Sequence, residues 1–95
     1  MKLLFCKKCE DVFKLSNKLK TCDCGATKGF YVDNIRAIYT GEYAYPLGFN
    51  NQNFIEAIKS QPKKSSYGKT FESFVIPVKC QTFIYCSSLD KFCNV

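Results

Sequence analysis

At 95 residues, 46% hydrophobic and 23% charged, the chain has the composition of one small globular domain, not of a disordered segment. Fourteen Lys+Arg against eight Asp+Glu leave +6, a mild positive field that suits an acidic protein surface or nucleic acid. There is no His, which removes the commonest general base and the Ser-His and Cys-His nucleophile pairs, so the chain is not expected to be an enzyme.

Elements are expected as follows, from the amino terminus. "KLLFC" (2–6) reads as a strand running into the tight turn Cys6-Lys7-Lys8-Cys9, and "DVFKL" (11–15) as its return strand. The apolar run before Cys6 is three residues long. A secretory signal needs roughly 7–15, so a lipoprotein-type leader is rejected. "SNKLK" (16–20) is a polar turn region leading to Cys22-Asp23-Cys24-Gly25. "FYVDNIRAIYTGEY" (30–43) reads as a strand with Tyr31, Ile35, Ala37 and Tyr39 on one face, and Asp33-Asn34 marks a bulge or turn within it.

Gly41 and Pro46-Leu47-Gly48 carry breaker chemistry and are read as bracketing a loop. Its Tyr43 and Tyr45 either cover the core or form a binding patch. "NNQNFIEAIKSQP" (50–62) is the single expected helix, capped by Asn50 or Asn51 and ended by Pro62. Its Phe54, Ala57 and Ile58 recur at helical spacing and need a sheet to dock on. A basic polar loop (63–70) follows. In "FESFVIPVKCQTFIYC" (71–86), Phe74, Ile76, Val78, Cys80, Ile84 and Cys86 share one face with Thr82, as a long strand or hairpin with Pro77 at an edge or bulge.

The seven cysteines carry the chemistry. With no signal segment they suit a reducing cytoplasmic interior, where thiols bind metal or stay free. Zinc takes four thiolates at tetrahedral corners, and pairs offered by two tight turns are its usual source. Cys6 and Cys9 form one such pair. Cys22 and Cys24, one residue apart, can point the same way in extended backbone, and Gly25 lets the chain curl around an ion. Twelve residues between Cys9 and Cys22 leave room for a short hairpin.

The expected site is therefore one structural zinc on Cys6, Cys9, Cys22 and Cys24. If the one-residue gap strains Cys22, a tail cysteine would replace it. A rubredoxin-like iron centre would use the same sulfurs, because ligand type alone does not separate these metals. A dithiol oxidoreductase is rejected: it requires a thiolate at a helix N-terminus, and "EDVFKL" after Cys9 is not helical in character. Cys80, Cys86 and Cys93, spaced C-x5-C-x6-C, are read as small hydrophobes rather than as a second site.

All but one of the 14 basic residues are Lys, the exception being Arg36, and this disfavours sequence-specific DNA reading. Lys7, Lys8, Lys14, Lys18 and Lys20 nevertheless offer a candidate phosphate-contacting face with aromatic residues between them; the plainer reading is a solvated surface. The acids Asp11, Asp33, Glu42, Glu56 and Glu72 are scattered, with no catalytic pairing visible in their spacing.

"MKLLFCKKCEDVFKL", "CDCG", "KGFYVDN" and "PLGFNNQNFIEAI" together resemble a group of short, mostly uncharacterised bacterial and bacteriophage zinc-ribbon proteins. Those proteins open with C-x-x-C, continue with C-x-C-G, and carry G-x-Y-x-D-N and P-L-G-x-x-N segments. The resemblance covers residues 1 to 60 and brings no established activity. It implies the same four zinc ligands and a phage or mobile-element setting. The expected fold is α+β: an N-terminal zinc ribbon (residues 1–29) on a strand-rich body (30–95) with a small antiparallel sheet and one short helix, in one unit. The expected function is a non-catalytic, cytoplasmic binding module with a host or phage protein as partner. Nucleic acid is the alternative partner, electron carriage by iron a further alternative, and no membrane is involved.

Overall fold

The structure, a computed structural model, describes residues 1–64 and 67–87. Cys93 and part of the basic loop at 63–70 lie outside them. The fold is α+β, with two four-stranded sheets and one helix. Strands β1 (Lys2–Cys6), β2 (Val12–Lys14), β6 (Ala44–Phe49) and β7 (Ser73–Val75) form the first sheet in the order β2-β1-β6-β7, antiparallel throughout. Strands β3 (Lys20–Thr21), β4 (Lys28–Tyr31), β5 (Ala37–Thr40) and β8 (Phe83–Tyr85) form the second, in the order β3-β4-β5-β8. In it β8 runs parallel to β5, so the second sheet is not purely antiparallel as expected.

Alternation along β1 explains how the sheets stack. Leu4, on one face, is fully buried in a core with Leu15, Ala37, Tyr39 and Phe83, which joins both sheets. Tyr39 meets Phe83 edge-on, with ring centroids 5.0 Å apart. Each such side chain contributes about 1.5–3 kcal/mol on burial, and few are available in a chain this short.

Three sequence expectations are corrected by the strands. In the segment 30–43 the turn alternative at Asp33-Asn34 is the one that forms, so the continuous one-face strand gives way to a hairpin: Asp33 Oδ1 accepts the Ile35 and Arg36 amides at 2.8 and 2.6 Å and folds the chain back. Ile35 is consequently exposed instead of sharing a buried face with Tyr39. The segment 44–49, read as a loop, is the inner strand β6. Pro46 is tolerated because its hydrogen-bonding side faces β7 just where that strand ends; there its carbonyl accepts the Ile76 amide at 2.8 Å. Gly48 leaves room for the Phe74 ring, which a Cβ would meet at 2.8 Å and push aside. The third correction concerns 71–86, which divides between the two sheets as β7 and β8. Phe83 becomes the buried residue, while Val78 on the expected face is 83% exposed.

Helix α1 (Asn51–Lys59) starts as expected, with the Asn50 side chain accepting the Asn53 amide at 3.1 Å. Its expected docking on a sheet is made by Phe54, which packs with Phe49 of β6 and with Phe71 in a ring cluster at 4.8–5.3 Å. None of the helix residues is buried, however, and Ile58 is exposed. Residues 29 and 30, where ribbon and body were divided, both fall inside β4.

Candidate metal centre

The first sheet and the second each send one hairpin tip to the same place. The β1–β2 tip carries Cys6 and Cys9, and the β3–β4 tip carries Cys22 and Cys24. In the first tip the Cys6 amide donates to the Asp11 carbonyl at 2.9 Å, and the Glu10 amide to the Cys6 carbonyl at 2.7 Å. In the second, the Cys22 amide donates to the Thr27 carbonyl at 2.9 Å, and the Gly25 amide to the Cys22 carbonyl at 3.0 Å. The Cys22–Cys24 pair therefore sits on a turn, not on the extended backbone expected from its one-residue gap. Each turn leaves by a residue in the left-handed region, Glu10 at φ 63° and Gly25 at φ 82°.

These turns bring the four sulfurs within 4.8 Å of one another, and the cluster could hold a metal ion. Cys24 Sγ lies 3.7 Å from Cys6 Sγ and 3.6 Å from Cys22 Sγ. A tetrahedron with metal–sulfur bonds of about 2.3 Å has sulfur–sulfur edges of about 3.8 Å. The shorter pairs match that edge, and Cys22 completes the set without help from a tail cysteine. Cys6 and Cys22 are buried, Cys9 is half-buried and Cys24 is exposed, so the centre has a dry side and a wet side.

Electrostatics follow from this crowding. The Thr27 hydroxyl is the largest influence drawing the Cys6 thiol down to about 6, with the Cys9 and Lys8 amides assisting against desolvation. Burial pushes the Cys22 thiol up, but the Thr27 amide, 3.2 Å from its sulfur, and the Cys24 side chain bring the net shift downward. The Ala26 amide favours the Cys24 thiolate, yet desolvation and the Cys22, Cys9 and Cys6 sulfurs drive it up to about 11. Four neighbouring sulfurs cannot all ionise by themselves; a bound cation would supply the missing charge.

Several supports were not legible in the sequence. Asp11, counted among scattered acids, accepts the Asp23 amide on Oδ2 at 3.1 Å and ties one turn to the other. Thr27, fully buried, closes the second turn. Gly41, at φ 128°, lies so close beneath it that a Cβ would meet the Ala26 carbonyl at 2.5 Å. Gly25 was the one supporting residue its position after a cysteine revealed.

The five candidate lysines do not share one surface element. Lys7 and Lys8 occupy the first turn, Lys14 the outer strand β2 of the first sheet, Lys18 the linker, and Lys20 the outer strand β3 of the second sheet. All are exposed, and the Lys8 ammonium lies 5.9 Å from the Tyr43 ring centroid. Cys80 is half-buried beside the core with Thr82 Oγ1 3.5 Å from its sulfur. Cys86 is buried as expected, though disulfide-bonded rather than a free thiol. No helix among the described residues is long and apolar enough to cross a membrane.

Geometry is therefore the main guide to function: no protein-family model matches this chain, and neither does any curated protein or solved structure.

Proposed function

We propose that the chain is a non-catalytic zinc-ribbon module that binds another protein. The observation supporting the metal reading is the four-sulfur cluster at tetrahedral spacing, shared between the tips of two hairpins. Four thiolates close the coordination sphere, the arrangement of a structural zinc; a catalytic one keeps a position open. The ion joins the two sheets at one end, so its binding energy becomes folding energy.

Support for a protein partner comes from the face of the first sheet turned away from the core. The register sets Val12, Phe5 and Tyr45 in one cross-strand row and Lys14, Leu3, Leu47 and Val75 in the next. A solvated face of an antiparallel sheet is ordinarily polar. Here Lys14 is the single charge in the two rows, while Val12, Tyr45 and Val75 are 51%, 42% and 64% exposed. Apolar surface of this kind marks contact with another molecule. A charge of +6 disfavours a second copy as the occupant and favours a different protein. In this reading the partner is a host or phage protein, and the module modulates host machinery or defence.

Elemental analysis of the purified protein tests the metal, with one zinc per chain expected and iron pointing to the electron-carrier alternative. Capture of a host protein is expected from the native chain and lost in a Val12→Asp/Tyr45→Asp variant that retains zinc. Equal capture by both proteins would overturn the assignment of that face. Binding to a mixed-sequence oligonucleotide with affinity falling steeply in log[salt] would favour the nucleic-acid alternative.

A further inference from the structure

The four clustered sulfurs differ in access. Cys6 and Cys22 are 0% and 4% exposed, Cys9 is half-buried, and Cys24 is exposed. Cys24 also has two close sulfur neighbours, Cys22 Sγ at 3.6 Å and Cys6 Sγ at 3.7 Å. Outside the cluster, Cys80 is a free thiol but half-buried beside the core. A small oxidant in solution therefore meets Cys24 first, and an oxidised Cys24 has a second sulfur at hand.

Of its two neighbours, Cys22 belongs to the same turn. A bond between them closes 3.6 Å to the disulfide length of about 2.0 Å without moving one sheet against the other. The turn can yield at that point: Gly25, next along the chain, stands in open space, where a Cβ would meet nothing within 4 Å. Cys6 lies on the other hairpin, its amide held by the Asp11 carbonyl and its carbonyl by the Glu10 amide.

We propose that Cys24 is an oxidation site for hydrogen peroxide, and that Cys22 resolves it as a Cys22–Cys24 disulfide that opens the metal centre. The inference rests on the metal reading above, because a coordinating thiol is deprotonated outright and the thiolate is the form that peroxide attacks. In the first step the peroxide oxygen–oxygen bond breaks; one oxygen joins Cys24 Sγ as a sulfenic acid, and the other leaves as hydroxide. In the second the Cys22 thiolate attacks that sulfur, the sulfur–sulfur bond forms, and a second hydroxide leaves. The two sulfurs give up one electron each, and the peroxide takes both. This consumes both ligands of the second hairpin. Cys6 and Cys9, both on the first, are an incomplete set for a tetrahedral ion, and no ion then spans the two tips.

The zinc-loaded native chain tests this without a variant that has to fold. It is treated with hydrogen peroxide, the free thiols are alkylated, and the chain is cut with trypsin. Cys22 and Cys24 share the peptide 21–28, while Cys6 falls in 3–7 and Cys9 in 9–14. The 21–28 peptide is expected to lose two hydrogens and to escape alkylation. One zinc per chain should appear in a chelating dye in step with that loss. Dimedone, which traps sulfenic acids, should label Cys24 before Cys9 or Cys80 when added with the peroxide. A dithiol with fresh zinc should reverse both changes, since an exposed disulfide is readily reduced.

A cross-link between 3–7 and 21–28 would overturn the assignment of Cys22 as resolving sulfur. Dimedone appearing first on Cys9 or Cys80 would overturn Cys24 as the site, and a sulfinic acid at Cys24 with no disulfide would overturn the second step. Zinc retained with all four thiols unmodified, while Cys80 is oxidised, overturns the inference and leaves the metal reading standing. A purified chain without zinc, seen in elemental analysis before peroxide is added, overturns the metal reading and this inference with it.

Discussion

The two sulfur-bearing turns are near-copies built from different residues. Each begins with a buried cysteine whose amide is held by a carbonyl five residues on, Asp11 in one and Thr27 in the other, and each exits through left-handed backbone. At the exit the second turn has Gly25, which adopts that conformation freely, whereas the first has Glu10, which does so at a cost. Behind the sulfur, the second turn has a buried threonine and a close-packed glycine; the first has Asp11, whose carboxylate reaches across to its counterpart. The two backbone paths converge on one sulfur cluster, and local sequence preference is obeyed in only one of them.

Removing the ion strikes both turns together and should have the largest effect. Chelation, or Cys9→Ser, is expected to lower metal content and thermal stability in parallel. The energy at stake for a structural zinc is on the order of 10 kcal/mol. Hydrogen exchange should then rise at both tips; protection persisting at either one would show that turn to be independent of metal. Stability falling while stoichiometric zinc stays bound would remove Cys9 from the ligand set.

Gly41→Ala separates the turns. Its new methyl would press on the Ala26 carbonyl beneath the second turn alone. A loss of roughly 1–3 kcal/mol is expected in denaturant unfolding, with increased exchange at residues 22–27 and little change at 6–10. Equal loosening of both tips would mean that the sulfurs couple them tightly.

The exit residues provide a pair of opposite sign. Gly25→Ala should destabilise by about 1–2 kcal/mol, because a Cβ is unwelcome at φ 82°. Glu10→Gly should stabilise by up to about 1 kcal/mol, the relief of strain exceeding the added freedom of the unfolded chain. Two changes of the same sign in calorimetry would break the likeness of the turns. The smallest effect is expected from Asp11→Ala, which frees the Asp23 amide and should cost roughly 0.5–1.5 kcal/mol.

How legible each part was depended on whether its cause was local. The cysteine cluster showed because its residues come in close pairs, and α1 because Asn50 and the Phe54, Ala57 and Ile58 spacing are contained in one short stretch. Strand β6 was hidden because Pro46 and Gly48 carry loop chemistry, and it takes the end of β7 and the Phe74 ring, both distant in sequence, to make them strand residues. The partition of 71–86 between two sheets was hidden for the same reason, since alternation describes a strand but not which sheet receives it. Thr27 and Glu10 gave no signal, because the burial of one and the left-handed backbone of the other are set by the folded turns and not by residue type.

The four sulfurs come early in the chain, while the strands that complete each sheet, β5 to β8, all follow them. During synthesis a cation can thus clasp the first two hairpins before their neighbours exist. On the metal reading proposed above, every later segment would arrive at a preformed seam, with fewer wrong pairings open to it.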